Sequence, residues 1–69
     1  MILDINVSQV YAWMARRNMT QSDIAKKSGI PKQHISTILT RKTCSPLNLG
    51  KIANALGVEP GDIMKMEGI

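Results

Sequence analysis

Aromatic residues, cysteine and histidine are scarce in this sequence. Phe is absent and only Tyr11 and Trp13 are aromatic, so Ile, Leu, Val, Ala and Met must supply the core. That composition suits helices better than sheets. Cys44 is the only cysteine and cannot form an internal disulfide, and with the single His34 no Cys/His cluster can complete a four-ligand zinc site. We therefore expect no metal, no other cofactor and a reducing, cytoplasmic environment.

Long apolar runs are also missing. No segment approaches the roughly 18 residues of a membrane helix, and the N-terminus lacks a basic region followed by an apolar stretch. We therefore expect no membrane partner and no export. The 69 residues fall below the roughly 100–200 of a typical domain, which leaves no room for a separate catalytic lobe. We expect one domain, residues 1–69, with residues 1–6 as an N-terminal arm.

Negative charge is scarce in the middle of the chain. The whole sequence has 9 Lys and Arg against 5 Asp and Glu, a net charge of +4. Residues 32–51 contain no acid and four cations, namely Lys32, Arg41, Lys42 and Lys51. A positive field centred there favours a polyanionic partner, and nucleic acid is the first candidate.

Capping and helix-breaking residues predict a series of short helices. Ser8 is a suitable cap for the first helix, which Asn18 ends in the left-handed conformation. Thr20 and Asp23 resemble a capping box at the start of the second helix, and Gly29 ends it.

Two prolines predict the starts of the next helices. Pro31 opens the third helix as its first helical residue, and Pro46 opens the fourth, which Gly57 ends. The segment 41–45 has no periodicity and is predicted to be a loop. A fifth short helix follows the turn around Pro60, which gives five helices in all.

The third helix is predicted to have one apolar and one polar side. Ile35, Ile38 and Leu39 recur at helical spacing. The opposite side carries side chains able to bond bases: Lys32, Gln33, Ser36, Thr37 and Thr40. Taken alone, such a pattern is also typical of a solvated helix face.

Several short motifs stand at fixed distances along the chain: Thr20-Gln21, Ile24-Ala25, Gly29-Ile30, Ile35-Ser36, Ile38, Ile52-Ala53 and Ala55-Leu56-Gly57-Val58. Together they resemble the phage repressor and Cro-type (XRE-like) helix-turn-helix family, over roughly residues 7–66 without a gap. The resemblance implies an all-α, compact, five-helix DNA-binding domain. Its second and third helices would form the helix-turn-helix.

The resemblance also implies which residues contact double-stranded DNA. The third helix would enter the major groove, with Lys32, Gln33 and Thr37 on the bases. Their chemistry agrees, because Lys donates to guanine, Gln can bond adenine twice and the Thr methyl can meet thymine. The implied phosphate contacts are Gln21, Thr40, Arg41, Lys42 and Thr43.

The sequence departs from the family's usual pattern in three places. Met14 and Leu39 replace an Arg and a Glu that form an ion pair in the family, and we expect the two apolar side chains to pack together. Arg41 stands where the family often has Gly, so the end of the third helix needs another geometry or a left-handed non-glycine residue. Pro31 replaces a Ser or Thr cap.

These observations predict a sequence-specific transcriptional regulator. We expect a repressor that binds an inverted-repeat operator as a homodimer, with Met64, Met66 and Ile69 as an apolar contact near the last helix. The alternative is a protein-interaction module, such as an antitoxin or adaptor, built on the same helices.

An enzyme is not expected, because paired carboxylates, a phosphate-binding Gly-rich loop and a nucleophile–base motif are missing. No small-molecule substrate is evident. His34 is interpreted as an exposed side chain or a phosphate neighbour, and Cys44 as an ordinary small residue.

Overall fold

The computed structural model describes residues 1–65. It contains four α-helices, two short strands and one 3-10 helix, in the order β1 (Leu3–Asp4), α1 (Val7–Arg17), α2 (Gln21–Ser28), α3 (Lys32–Arg41), β2 (Thr43–Cys44), α4 (Pro46–Leu56) and a 3-10 turn (Pro60–Asp62). The prediction of five helices and an all-α fold is therefore wrong in detail. The described part of the chain is mostly helical, with four α-helices and a small sheet.

The first two helices follow the predicted stop and start signals closely. Asn18 ends α1 in the left-handed conformation, with φ of 54°. Thr20 caps α2, and the Asp23 carboxylate accepts a 2.8 Å bond from the Thr20 backbone N–H, which completes the capping box. Gly29 ends α2, as predicted. These predictions are confirmed. Each depends only on residues that are close together in the sequence.

Two other helix starts differ from the predictions by one or two residues. Asn6, and not Ser8, caps α1, because its Oδ1 accepts the backbone N–H of Gln9 at 3.2 Å. Pro31 is the capping residue of α3 and not its first helical residue, so the helix begins at Lys32. Pro46 begins α4, as predicted.

The residues expected to form an N-terminal arm and a loop pair with each other. In the antiparallel ladder of β1 and β2, Leu3 lies opposite Cys44 and Asp4 lies opposite Thr43. Ile5 follows directly and is only 2% exposed. Residues 3–5 are therefore an integral part of the fold, and only Met1 and Ile2 extend from it as exposed apolar residues.

The chain after α4 also returns to the N-terminal strand. The Asn6 N–H donates to the Ile63 carbonyl at 2.7 Å, and the Lys65 N–H donates to the Asp4 carbonyl at 3.0 Å. This pairing replaces the expected fifth helix, of which a single 3-10 turn remains. Of the proposed dimer contact, Met64 is half-buried, whereas Met66 and Ile69 lie outside the described residues.

The core is aliphatic and lies between the helices. Its most completely buried side chains are Val10, Ile24, Ile35, Ile52, Leu56 and Ile63. Met14 and Leu39, which we expected to pack together, are both buried in the same cluster, with 8% and 5% exposure. Within residues 1–65 no polar or charged residue is buried, so the core contains no charge that needs a partner.

Candidate nucleic-acid interface

The turn between α2 and α3 is fixed by three consecutive residues. Gly29 has φ of 78°, a left-handed conformation that is costly for residues with a Cβ. The Ser28 hydroxyl accepts the Ile30 N–H at 3.1 Å, and Ile30 is buried. This turn sets how α3 leaves α2, and both helices pack against the rest of the domain.

Helix α3 presents opposite faces to the core and to the exterior. Ile35, Ile38 and Leu39 are buried. Lys32, Gln33, Ser36, Thr37 and Thr40 are exposed and, at about 100° per residue, fall within an arc of about 140°. This set is called the α3 polar face below. It runs about 12 Å along the helix axis from Lys32 to Thr40, at 1.5 Å per residue.

All three expected base-reading residues belong to the α3 polar face. Lys32 and Gln33 lie in the first turn of the helix and Thr37 lies one turn later. The Thr37 hydroxyl donates to the Gln33 carbonyl at 3.1 Å, which ties its only donor to the helix. Its methyl group and the acceptor side of its hydroxyl therefore remain available.

The N-terminus of α3 has no side-chain cap, as the Pro31 substitution predicted. The His34 and Ile35 N–H groups donate to the Pro31 carbonyl, at 2.9 and 3.0 Å. The N–H groups of Lys32 and Gln33 belong to the first turn, where no intrahelical carbonyl is available. They can bond water or a polar group that approaches the exposed end of the helix.

Two further residues of α3 lie beside the expected base contacts: Ser36, which the sequence places on the polar side, and His34, interpreted above as an exposed side chain or a phosphate neighbour. Ser36 is exposed near the centre of the α3 polar face, one turn after Lys32 and Gln33. His34 lines a shallow cleft with Pro31, Gln33 and Thr37. The helical spacing alone indicates Ser36.

Three of the expected phosphate contacts form an exposed group at the end of α3. Thr40, Arg41 and Lys42 are all exposed. Lys42, and not Arg41, adopts the left-handed conformation, with φ of 62°. The Lys42 N–H donates to the Ile38 carbonyl at 2.8 Å, and its own carbonyl accepts the Ile5 N–H at 2.9 Å. The left-handed residue is therefore held from both sides, which offsets its conformational cost.

The two remaining expected contacts lie in different environments. Gln21 is half-buried in the first turn of α2, far along the chain from the α3 end. Thr43 is half-buried in β2, directly opposite Asp4, whose carboxylate is exposed. A nearby carboxylate repels a phosphate, so Thr43 is the least favourable member of the expected set.

Helix α2 has a carboxylate in its first turn and two lysines in its last turn. Hydrogen bonds from Thr20 hold the pKa of the Asp23 carboxyl below its ordinary value, and the cations Lys26 and Lys27 lower it further. The carboxylate therefore stays ionised and saturates the N-cap N–H. Any phosphate bound by Gln21 and the free N–H groups of the first turn of α2 would therefore lie near this negative charge.

A second group of cations surrounds the only tryptophan. The guanidinium carbons of Arg16 and Arg17 lie 5.2 and 5.4 Å from the centre of the Trp13 ring, within cation–π distance. Arg17 also donates from Nε to the Leu56 carbonyl at 3.2 Å and so caps the end of α4. Both arginines are exposed, and both contact other groups of the chain.

The sequence was also compared with known proteins. The sequence model of the Cro/C1-type HTH DNA-binding domain matches residues 10–68, which is most of the chain. The chain belongs to this family. The match includes α2, the Gly29 turn and α3. No curated protein and no solved structure matched the chain.

In residues 1–65 no helix is long and apolar enough to cross a bilayer. Over the same range, no three His, Cys, Asp or Glu side chains come close enough together to hold a metal ion. Cys44 is buried in β2, and burial raises the pKa of its thiol.

Proposed function

We propose that this Cro/C1-type domain is a transcriptional repressor that reads an inverted-repeat operator through the α3 polar face. The observation that carries the proposal is the exposure of Lys32, Gln33 and Thr37 on a helix whose opposite side is buried. A polar face on an otherwise well-packed helix is free to meet a duplex without disturbing the core. Residues 32–51 contain no acid and four cations, of which Lys32 belongs to this face and Arg41 and Lys42 lie at its end.

The dimensions of α3 suit the major groove. A helix with its side chains is about 10–12 Å across, and the groove is about 12 Å wide. The first turn of α3 carries Lys32 and Gln33 and follows directly from the fixed turn at Gly29. In a helix-turn-helix these N-terminal residues point at base edges while the preceding helix crosses the backbone.

Each side chain suits a particular base edge. Lys32 would donate to guanine O6 or N7, and the Gln33 amide would bond adenine N6 and N7 together. Thr37, whose donor is tied to the Gln33 carbonyl, would offer its methyl group to a thymine methyl. A good bidentate contact is worth about 1–3 kcal/mol of discrimination, so we assign the largest share of sequence preference to Gln33.

Phosphate contacts at the end of α3 and at the start of α2 would hold α3 in register on the duplex. Thr40, Arg41 and Lys42 lie at the end of α3, and Gln21 lies at the start of α2. Thr43 completes the proposed set, with a smaller contribution because Asp4 lies opposite. These contacts attract any sequence alike, because a phosphate carries no base information.

Transcription would be repressed when the operator is occupied. Two copies on an inverted repeat place their recognition helices about 34–36 Å apart, one helical turn of DNA. A bound pair would then obstruct polymerase at an overlapping promoter.

Selection of bound duplexes from randomised DNA tests this proposal directly. The purified chain should enrich sequences that contain an inverted repeat, with half-site centres one helical turn apart. Lys32→Ala, Gln33→Ala and Thr37→Ala should each relax preference at a distinct base pair.

The outcome that contradicts the proposal is equal affinity for enriched and random DNA. Weak, salt-dependent binding of all sequences would mean that the chain binds DNA through its positive charge alone and has no operator. A stoichiometric protein partner together with no sequence preference would instead favour an adaptor or antitoxin.

A further inference from the structure

His34 is the only histidine of the sequence, and it lies on α3 outside the α3 polar face. Its side chain is exposed, and its backbone N–H donates to the Pro31 carbonyl at 2.9 Å, which fixes the backbone at this position. At about 100° per residue, His34 lies about 60° beyond Thr37 around the helix axis. It therefore stands at the edge of the α3 polar face, next to the buried side of the helix.

Arg41, one of the expected phosphate contacts, shares this edge of α3. Helical geometry places the two residues about 20° apart around the axis and about 10 Å apart along it. A helix with its side chains is about 10–12 Å across and the major groove is about 12 Å wide, so residues at the edges of the inserted face meet the groove walls, where the phosphates lie. His34 and Arg41 would then face the same DNA strand.

The cleft beside His34 is otherwise uncharged. Its other lining residues are Pro31, Gln33 and Thr37. The charged residues of α3, its end and the adjoining α2 do not line the cleft: Lys32, Arg41, Lys42, Asp23, Lys26 and Lys27. The same holds for the two arginines of α1 and for Lys51 of α4, and β2 carries only the buried Cys44 thiol. Among residues 1–65, no carboxylate in this cleft competes with a phosphate for the imidazole.

The chemistry of imidazole makes such a contact sensitive to pH. Imidazole is the side chain that changes its charge between about pH 5 and 8, whereas lysine and arginine keep theirs. The neutral ring has one N–H donor, and the protonated ring has two donors and a positive charge. A hydrogen bond from a charged donor to a phosphate is about twice as strong as one between neutral groups. A phosphate contact made by His34 would therefore strengthen as the pH falls, while that of Arg41 would stay constant.

We propose that His34 is a further phosphate contact of α3 and that its protonation makes the chain bind DNA more tightly at acidic pH. This inference rests on the proposed function and adds a regulatory input to it, since acidification would raise the occupancy of the operator. Because the contact is to the DNA backbone, it acts on every sequence alike. It is therefore measurable on a random duplex as well as on a selected operator.

Anisotropy titrations with both duplexes at about pH 5.5 and about pH 8 provide the main test. The wild-type chain should bind each duplex about three- to tenfold more tightly at the lower pH. The slope of log affinity against log salt should steepen there by about one, as for one additional neutralised phosphate. His34→Gln keeps a polar side chain that cannot ionise and should lose both changes. His34→Arg, which is always charged, should bind at the higher pH about as tightly as wild type does at the lower one.

A relocated histidine is the matched control for net charge. In the double variant His34→Gln with Asn54→His, the single imidazole moves to an exposed position of α4 outside the proposed DNA contacts. It still titrates near neutral pH but does not face the groove wall, so the pH effect should stay below about twofold. Circular dichroism at both pH values checks that each variant is folded, and the exposed position of His34 means that its replacement should leave Tm nearly unchanged.

Four outcomes decide the proposal. A wild-type affinity that is independent of pH, or an equal pH effect in His34→Gln, would overturn it. A full pH effect in the relocated-histidine variant would mean that net charge alone is responsible. An effect that appears on the operator but not on the random duplex would assign the imidazole to a base and would also contradict a phosphate contact. A chain that enriches no DNA sequence but keeps the His34-dependent effect on random duplex would instead contradict the proposed function alone.

Discussion

Replacing three glycines by alanine should have effects of opposite sign, because the structure gives them different backbone conformations. Gly29 and Gly57 end helices with φ of 78° and 74°, and an added Cβ meets nothing closer than ordinary contact at either position. The cost of alanine at both is therefore conformational alone, about 1–2 kcal/mol for a left-handed residue with a Cβ. Gly50 lies in a regular helix in open space, so alanine there should stabilise the fold by about 0.5–1 kcal/mol.

Urea unfolding followed by Trp13 fluorescence measures all three changes in the free energy of unfolding. In a domain of this size, 1 kcal/mol corresponds to a shift of about 4–8 °C in Tm. Gly29→Asn is a useful companion, since Asn tolerates the left-handed conformation and should recover part of the loss. A loss above about 4 kcal/mol at Gly29 would mean that the turn is sterically crowded. A stabilising Gly29→Ala would mean that the left-handed turn is absent, and either result would refute the reasoning.

Three further predictions concern the core and the caps. Met14→Arg should destabilise the fold by about 3–5 kcal/mol, since it buries a charge without a partner, and an unchanged Tm would contradict the burial of this position. The Asp23 pKa is lowered by folding, so its contribution to stability is complete above its ordinary value of 3.8 and is lost as pH falls towards the lower folded-state value. The stability difference between wild type and Asp23→Asn should therefore shrink below about pH 4, and a constant difference would mean that the carboxylate is not held in the cap. Cys44, buried and with a raised pKa, should react with a thiol reagent only in step with unfolding, whereas rapid reaction of the folded chain would show that β2 opens freely.

Local signals account for the parts of the fold that the sequence predicts well. The capping box of Thr20 and Asp23, the left-handed Asn18 and the stop at Gly29 each involve residues within one turn of helix. The exposure of Lys32, Gln33 and Thr37 follows from the spacing of Ile35, Ile38 and Leu39, because helical geometry forces the two sets to opposite sides.

The missed features depend on contacts between distant segments. Leu3 pairs with Cys44 across most of the chain, and two-residue strands are too short to leave a periodic pattern. The same N-terminal strand receives Ile63 and Lys65, which ends the expected fifth helix after one turn. Asn6 rather than Ser8 caps α1 because the pairing of Ile5 and Asn6 fixes where the helix begins.

The sequence predicts the exposure of the α3 polar face better than the geometry at the end of α3. The departure at Arg41 left two alternatives, another geometry or a left-handed non-glycine residue. The helix ends in a left-handed residue, but it is Lys42, whose carbonyl accepts the Ile5 N–H.

The most direct test of the central claim compares one variant of the α3 polar face with one phosphate-contact variant on two DNAs. Gln33→Ala should lower affinity for the selected operator by about 5- to 150-fold, the equivalent of about 1–3 kcal/mol, and leave affinity for random duplex nearly unchanged. Lys42→Ala should weaken both DNAs alike and reduce the salt slope by about one. If Gln33→Ala instead lowers affinity equally on operator and random DNA, the α3 polar face does not read bases in the way proposed.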